Sequence, residues 1–294
     1  MKLYKTTVRP LSRFGTPLQG DTLFGQLCWA ISFLEGEERL KELLATYRDT
    51  PFIIVSDGFA CGYLPKPKMP PTLLGESVED KKTNRKKVWL VPEALQQGDF
   101  LNAKRSDEIG IVDETIQTMH NSLNYKTFMT SSDGKFAPFG ETEFQMGDRD
   151  LYLLIDEKQT DKVSIEKALR YVGHYGYGKN ASIGKGRFEI TPFEEMRWQS
   201  KGKRFMALSA FSAQGIEATL YAEPFTRFGK AGASRAYKQP FKKPLLLAAC
   251  GSVIEYGELQ ERCYVGRAIT GVSDVYEDIV HQGYAVTIAL GDSV

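Results

Sequence analysis

A segment with helical spacing, VSIEKALRYVGHY, runs into YGYGKNASIGKGRF (Tyr175 to Phe188) and then into the strand-like RFEIT. This order of helix, glycine-rich loop and strand constrains the chain more than any other feature. A dinucleotide-binding loop follows a strand and opens a helix, so that the pyrophosphate sits on the helix N-terminus. Gly176-x-Gly178-x-x-Ala181 has that spacing in the reverse context. Gly178 to Lys185 approaches a P-loop, but five residues separate its glycines instead of four, and Gly186 stands where Ser or Thr would bind magnesium. What remains is a loop whose glycines permit close backbone approach, interleaved with Lys179, Lys185 and Arg187 and free of acids. Such a loop suits a phosphate, which backbone N–H groups and cations would surround.

A second basic stretch, residues 226 to 243 (TRFGKAGASRAYKQPFKK), holds six Lys or Arg and no acid, with Phe228, Tyr237 and Phe241 between them. Cations interleaved with aromatics suit single-stranded nucleic acid, whose phosphates pair and whose bases stack. A solvated loop is the competing explanation. Net charge does not arbitrate, because 38 Lys plus Arg nearly balance 37 Asp plus Glu. RNA binding must therefore rest on local asymmetry.

Catalytic, metal and cofactor sites are not expected. There is no HExxH, no close Cys/His pairing and no DxD cluster in a plausible loop. His174, Tyr175 and Tyr177 adjoin the glycine loop, and His120 and His281 are the other histidines; packing or RNA contact is favoured over acid-base work for each. Asp21, just before a helical run, reads as an N-cap. Cys28, Cys61, Cys250 and Cys263 form no CxxC and are expected to be reduced and buried. The start MKLYKTTVRP lacks a signal-peptide core, and no apolar run approaches the ~18 residues of a membrane helix. A cytoplasmic protein with no membrane partner and no small-molecule substrate is expected.

At 294 residues, 42% of them hydrophobic, the chain is expected to form about two globular domains. Residues 2 to 9 alternate like a strand; Leu23, Leu27, Ile31 and Leu34 share a helical face, and EERLKELLATYR continues helically. FIIVS and FACGYL flank Asp57-Gly58, a hairpin signal. RDLYLLI, the helix near 161 to 173, the loop and RFEIT follow. The order is βαββαβ, a ferredoxin-like (RRM-like) arrangement, spanning 1 to 191 with an insertion at about 65 to 148. Within the insertion, HNSLNYKTFMTSSDGKFAPFGETEF reads as a β-hairpin around Asp133-Gly134, with Tyr125, Lys126, Phe128, Lys135 and Phe136 on its arms. A polar linker (192 to 203) leads to a strand-rich second half, 203 to 294, built from FMALSAF, EATLYAEP, PLLLAAC, RAITGV and YAVTIAL. This reads as a second, degenerate ferredoxin-like domain, so the fold class is α+β.

Set in this order, the pieces resemble the repeat-associated mysterious protein (RAMP) superfamily of CRISPR systems. The residues that carry the likeness are the N-terminal strand, the helix opening Asp21-Thr22-Leu23-Phe24-Gly25 and the late GxGxxxxxGxG loop. NSLNYKTF (121 to 128), FTRFGKAG (225 to 232), KQPFKKPLLLAACGSV (238 to 253) and HQGYA (281 to 285) extend it. The likeness is to the subunit of the type III-A (Csm) effector complex that holds the 5′ tag of the CRISPR RNA (crRNA). The tag-binding subunit of type III-B (Cmr) complexes shares the plan. The resemblance implies a non-catalytic RNA-binding scaffold that contacts a large polymerase-like subunit and a backbone RAMP subunit; the family's hairpin kinks the guide, and the short SSDGK tip of residues 120 to 139 departs from it and leaves that role open. It carries tag binding onto Gly176, Gly178, Lys179, Asn180, Ser182, Gly184, Lys185, Gly186 and Arg187, and onto Arg227, Lys230, Arg235, Lys238, Lys242 and Lys243. The alternative it leaves open is a metal-independent crRNA-processing endoribonuclease.

Overall fold

Buried and half-buried side chains alternate along KLYKTTVRP, which forms strand β1 (Lys2–Pro10) with Tyr4, Thr6 and Val8 turned inward. The structure is a computed structural model describing residues 1–77, 79–130, 137–232, 235 and 239–292. It is an α+β fold of several antiparallel sheets with few helices. Helix α1 (Gly20–Glu35) buries Leu23, Phe24, Leu27, Ala30 and Ile31 at helical spacing. Its periodicity continues in the sequence, but Gly36, at φ 98°, breaks the chain into a separate helix, α2 (Glu37–Ala45). Strands β2 (Ile53–Val55) and β3 (Phe59–Ala60) come next.

The insertion has two parts. The first contains β4 (Leu64–Pro65), α3 (Lys81–Asn84), β5 (Trp89–Leu90) and α4 (Pro92–Gln97), with β4 paired to β5. It is anchored, since Leu74, Leu90, Leu95 and Phe100 join the main core. The second is a two-stranded ribbon of β6 (Glu114–His120) and β7 (Phe139–Gln145), registered from Glu114 opposite Gln145 to His120 opposite Phe139. The expected hairpin thus exists with different arms. Tyr125, Lys126 and Phe128 lie beyond the paired strands, while the Asp133-Gly134 turn, Lys135 and Phe136 lie outside the described residues.

Strand β8 (Arg149–Ile155) is buried along its whole length. Helix α5 (Lys162–Tyr175) starts at Asp161, whose carboxylate accepts the Ser164 N–H at 2.8 Å, and buries Ile165, Ala168, Leu169 and Val172. Strands β9 (Phe188–Ile190) and β10 (Glu194–Met196) follow the glycine loop. The first sheet runs β10-β1-β8-β2, with β9 also on β1 and β3 also on β8. Asp57-Gly58 is therefore no hairpin turn, because β2 and β3 pair with successive parts of β8 and not with each other. The bend is held instead by N–H bonds from Asp57 to Leu208 O at 2.8 Å and from Gly58 to Leu18 O at 3.0 Å.

The stretch expected as a linker supplies β10 and the start of β11 (Lys201–Ala207). Beyond lie β12 (Thr219–Tyr221), β13 (Pro224–Arg227), β14 (Leu245–Ala248), β15 (Val253–Glu261), β16 (Tyr264–Gly266) and β17 (Tyr284–Leu290). Their main sheet runs β12-β15-β11-β17-β16, while β13 and β14 pair separately. RAITGV forms no strand beyond an isolated bridge between Ile269 and His281. No α-helix occurs after α5 among the described residues. One core joins the halves: Met206, Leu208, Val253, Tyr284, Val286 and Ile288 cluster with Tyr4, Leu27, Ile54 and Leu151.

Candidate nucleic-acid interface

Two anchors shape the glycine loop. Tyr177, fully buried, donates its hydroxyl to Pro17 O at 2.8 Å and accepts the Gln19 N–H at 3.0 Å, with its ring 5.9 Å from Phe14. The Tyr177 N–H then bonds Gly186 O at 2.9 Å, which pins the two ends of the loop together, and the Gly186 N–H bonds Arg13 O at 2.8 Å. These contacts divide the glycines. A Cβ at Gly186 would stand 2.1 Å from Tyr177 O, and one at Gly176 would stand 2.5 Å from Lys185 O. A Cβ at Gly178 would meet the Thr16 side chain at 2.7 Å, whereas Gly184 is exposed with nothing within 4 Å of that position. Only Gly184 of the four thus leaves room for an outside molecule; the others close on the protein itself.

The lysines are engaged from outside the loop. Phe14 and Phe144 exchange backbone hydrogen bonds of 2.9 and 2.8 Å, so the base of the β6-β7 ribbon sits beside the segment that holds Gly186. Glu141 and Glu143, two apart on β7, face the loop together. Lys179 Nζ lies 2.8 Å from Glu141 Oε1, and Asn180 donates to the other oxygen. Lys185 Nζ lies 2.8 Å from Glu143 Oε1, with Arg13 3.4 Å from Oε2. Hydrogen bonds from Lys179 and Lys185 respectively are the main cause holding both carboxyls below the usual range. The expectation of an acid-free cationic loop is corrected here, since the ribbon supplies the acids. Ser182 and Arg187 are exposed, and Arg187 makes no ion pair among the described residues.

The second basic stretch meets the loop at Gln19. Arg227 turns inward, with Nε 2.7 Å from Asp21 Oδ2 and Nη1 donating to Gln19 Oε1 at 3.0 Å. Asp21 is inside the first turn of α1, where its carboxylate accepts the Thr22 N–H at 2.8 Å, and Gln19 holds the N-cap position in its place. Asp57 accepts the Gly20 N–H at 2.8 Å, and burial pushes the Asp57 carboxyl up to about 7. His281, also buried, lies 3.5 Å from Asp21 Oδ2; burial first, then Lys242, lowers its pKa to about 4, so the ring is neutral at pH 7. Burial likewise pulls the Lys242 ammonium down. Lys230 lies over the Phe241 ring at 4.8 Å, Lys243 is 2.7 Å from Asp274, and Arg235 pairs with Asp278. Phe228 and Phe241 are exposed, while Lys238 lies outside the described residues. Arg13, Gln19, Glu141 and Glu143 are site residues that motif reading missed, although the alternating carboxylates of ETEF were a visible signal.

Among the described residues no three His, Cys, Asp or Glu side chains converge as a metal site, and no helix is long and apolar enough to cross a membrane. All four cysteines are free, but Cys61 is exposed and Cys28, Cys250 and Cys263 are half-buried, short of the burial expected.

No protein-family model matches the sequence, and no curated protein matches it either. Solved structures do. One is the crystal structure of a Csm1-Csm4 cassette in complex with AMPPNP: 18% identity, TM-score 0.62, all of both chains covered. A second Csm1-Csm4 cassette, in complex with pppApA, gives 20% identity and TM-score 0.60 over 100% of this chain and 99% of that one. The Csm3-Csm4 subcomplex of the type III-A CRISPR-Cas interference complex gives 14% identity and TM-score 0.62 over 99% and 100%. The matched neighbours are Csm4, and the likeness is one of fold along the entire chain.

Proposed function

We propose that this chain is the Csm4-type RAMP subunit of a type III-A CRISPR effector complex, holding the 5′ tag of the crRNA without catalysing a reaction. The observation that carries the reading is the end-to-end fold likeness to Csm4 in both the Csm1-Csm4 and Csm3-Csm4 structures. Those two pairings support a large polymerase-like subunit and a backbone RAMP subunit as its partners. The first sheet fits a ferredoxin-like unit: β2 and β1 run parallel on either side of β8, with α1 and β8-α5-β9 as the crossovers. The second sheet repeats that strand order as β12-β15-β11-β17 without helices, which fits a degenerate copy.

In this reading the tag phosphates meet Arg187, Ser182 and the open Gly184, while Lys179 and Lys185 exchange their carboxylate partners for phosphate. Charge-assisted bonds to phosphate are strong enough to compete with the Lys179 pair, whose lysine is half exposed, and Arg13 remains beside the buried Glu143 when Lys185 turns away. Against the processing-nuclease alternative, His281 is sealed and its neighbour Asp21 is engaged by Arg227, while the exposed His174 and the partly exposed His120 are tested by His174→Ala and His120→Ala, which should leave RNA integrity unchanged.

The test is native co-purification with neighbouring subunits, sequencing of the bound RNA and titration of a tag oligonucleotide. Lys179→Ala with Arg187→Ala should weaken binding and flatten the slope of log K against log salt by about 0.7 for each phosphate no longer neutralised. Particles without crRNA, or turnover of RNA by the purified chain, would overturn the reading.

A further inference from the structure

The outward faces of α1 and α5 carry an aromatic row that neither glycine motif nor basic run announced. Trp29 and Phe33 lie one turn apart on α1, with ring centroids 6.3 Å apart. Phe33 meets Tyr171 of α5 across the helix pair at 6.1 Å, and Tyr171 meets Tyr175 at 4.4 Å. The rings are inclined to their neighbours by only 27 to 35°. Phe33 is 64% and Tyr175 61% exposed, unusual for rings on the surface of a folded helix pair.

We propose that Trp29, Phe33, Tyr171 and Tyr175 form a base-stacking track for single-stranded RNA, continuous with the glycine loop. This rests on the RNA-binding reading above. Three observations select a nucleic acid over a protein partner. Tyr175 is the last residue of α5, and the next residue opens the loop, so the row ends where the chain that carries the proposed phosphate contacts begins. At the other end the Arg235 guanidinium lies 5.9 Å from the Trp29 ring and 5.5 Å from Tyr276, a cation stacked among aromatics. The row is aromatic throughout, and its tyrosines carry hydroxyl tips. A row of moderately inclined rings, with Arg235 (itself paired to Asp278) at one end and the basic loop at the other, suits stacked bases of any sequence.

The probe is an eight-nucleotide oligoadenylate, compared with an abasic ribose-phosphate oligomer of equal length. The full chain should prefer the oligoadenylate about tenfold or more. Phe33→Ala with Tyr175→Ala should abolish that preference with the salt slope unchanged, because every phosphate keeps its cation. Phe33→Tyr with Tyr175→Phe should keep it. Oligoadenylate should quench tryptophan fluorescence in the parent, and the quench should vanish in Trp29→Phe. A preference that survives truncation of both rings, or a quench indifferent to Trp29, overturns the track. If the Lys179→Ala, Arg187→Ala protein loses affinity in the same experiment, RNA binding stands without it. If truncation leaves the preference intact and instead breaks assembly with a neighbouring subunit, the row is a protein interface and the track is again overturned. A parent chain that binds neither oligomer sinks both the track and the RNA-binding reading.

Discussion

At the scale of single residues, glycines of one motif do different work. Gly186 is at φ 69°, and any Cβ there would overlap the Tyr177 carbonyl at 2.1 Å, so Gly186→Ala should cost on the order of 3 kcal/mol in a denaturant melt. Gly184→Ala meets no neighbour and bears only the strain of φ 88°, about 1 to 2 kcal/mol. A Gly186→Ala protein as stable as the parent would contradict this division. The motif was visible in the sequence, but which glycines face the protein was not, because that depends on where Thr16 and Arg13 return. Buried titrating groups add an opposed pair. Asp57 is raised to about 7, so its contribution is present below pH ~4 and lost as pH rises toward 7. His281 is lowered to about 4, so its contribution is present above pH ~6.5 and lost as pH falls toward 4. The two slopes oppose each other between about pH 4 and 6.5. Asp57→Asn keeps an oxygen for the Gly20 N–H and should unmask the histidine, giving a melting temperature that climbs through this window more steeply than the parent's; an unchanged profile would count against the pairing.

At the scale of elements, the β6-β7 ribbon places carboxylates where phosphates are proposed to bind. Glu141→Gln keeps an acceptor for Asn180 but releases the Lys179 charge. RNA affinity should therefore rise severalfold at low salt, with a slope steeper by about 0.7 if Lys179 then meets one more phosphate. Weaker binding by Glu141→Gln in an anisotropy titration would show that the pair positions the loop and does not compete with RNA. Elements with a full amphipathic period, β1, α1, β8 and α5, were legible because each buries one face or all of itself. Asp57-Gly58 misled because its carboxylate is drawn to the N-terminus of α1 and both flanking segments find the same partner strand. The end of β15, ELQE, was illegible as a strand because it is largely exposed, and its one apolar residue, Leu259, marks no buried face.

At the scale of the whole molecule, the halves are locked by groups that no periodicity reveals. Gln282 is fully buried, and its side-chain amide bonds both backbone groups of Val55, accepting the N–H at 3.0 Å and donating to the carbonyl at 2.8 Å. The side chain thus acts as one more rung on the edge of the first sheet. Tyr284 adds a bond from its hydroxyl to Arg48 O at 2.6 Å and packs edge-on to Tyr47 at 5.6 Å. A lone Gln in HQGYA gave no hint of this, and the +1 net charge of the chain gave none of how its ions are paired. Gln282→Leu would leave two buried backbone groups without partners, at about 1 to 3 kcal/mol each, and should lower stability by about 2 to 6 kcal/mol. Because one core spans both sheets, that destabilisation should fall on the entire chain. Calorimetry of the parent and of Gln282→Leu should each show a single transition, the second at lower temperature. Two resolved transitions in the parent would mean that the halves unfold independently and that the Gln282 contact couples nothing.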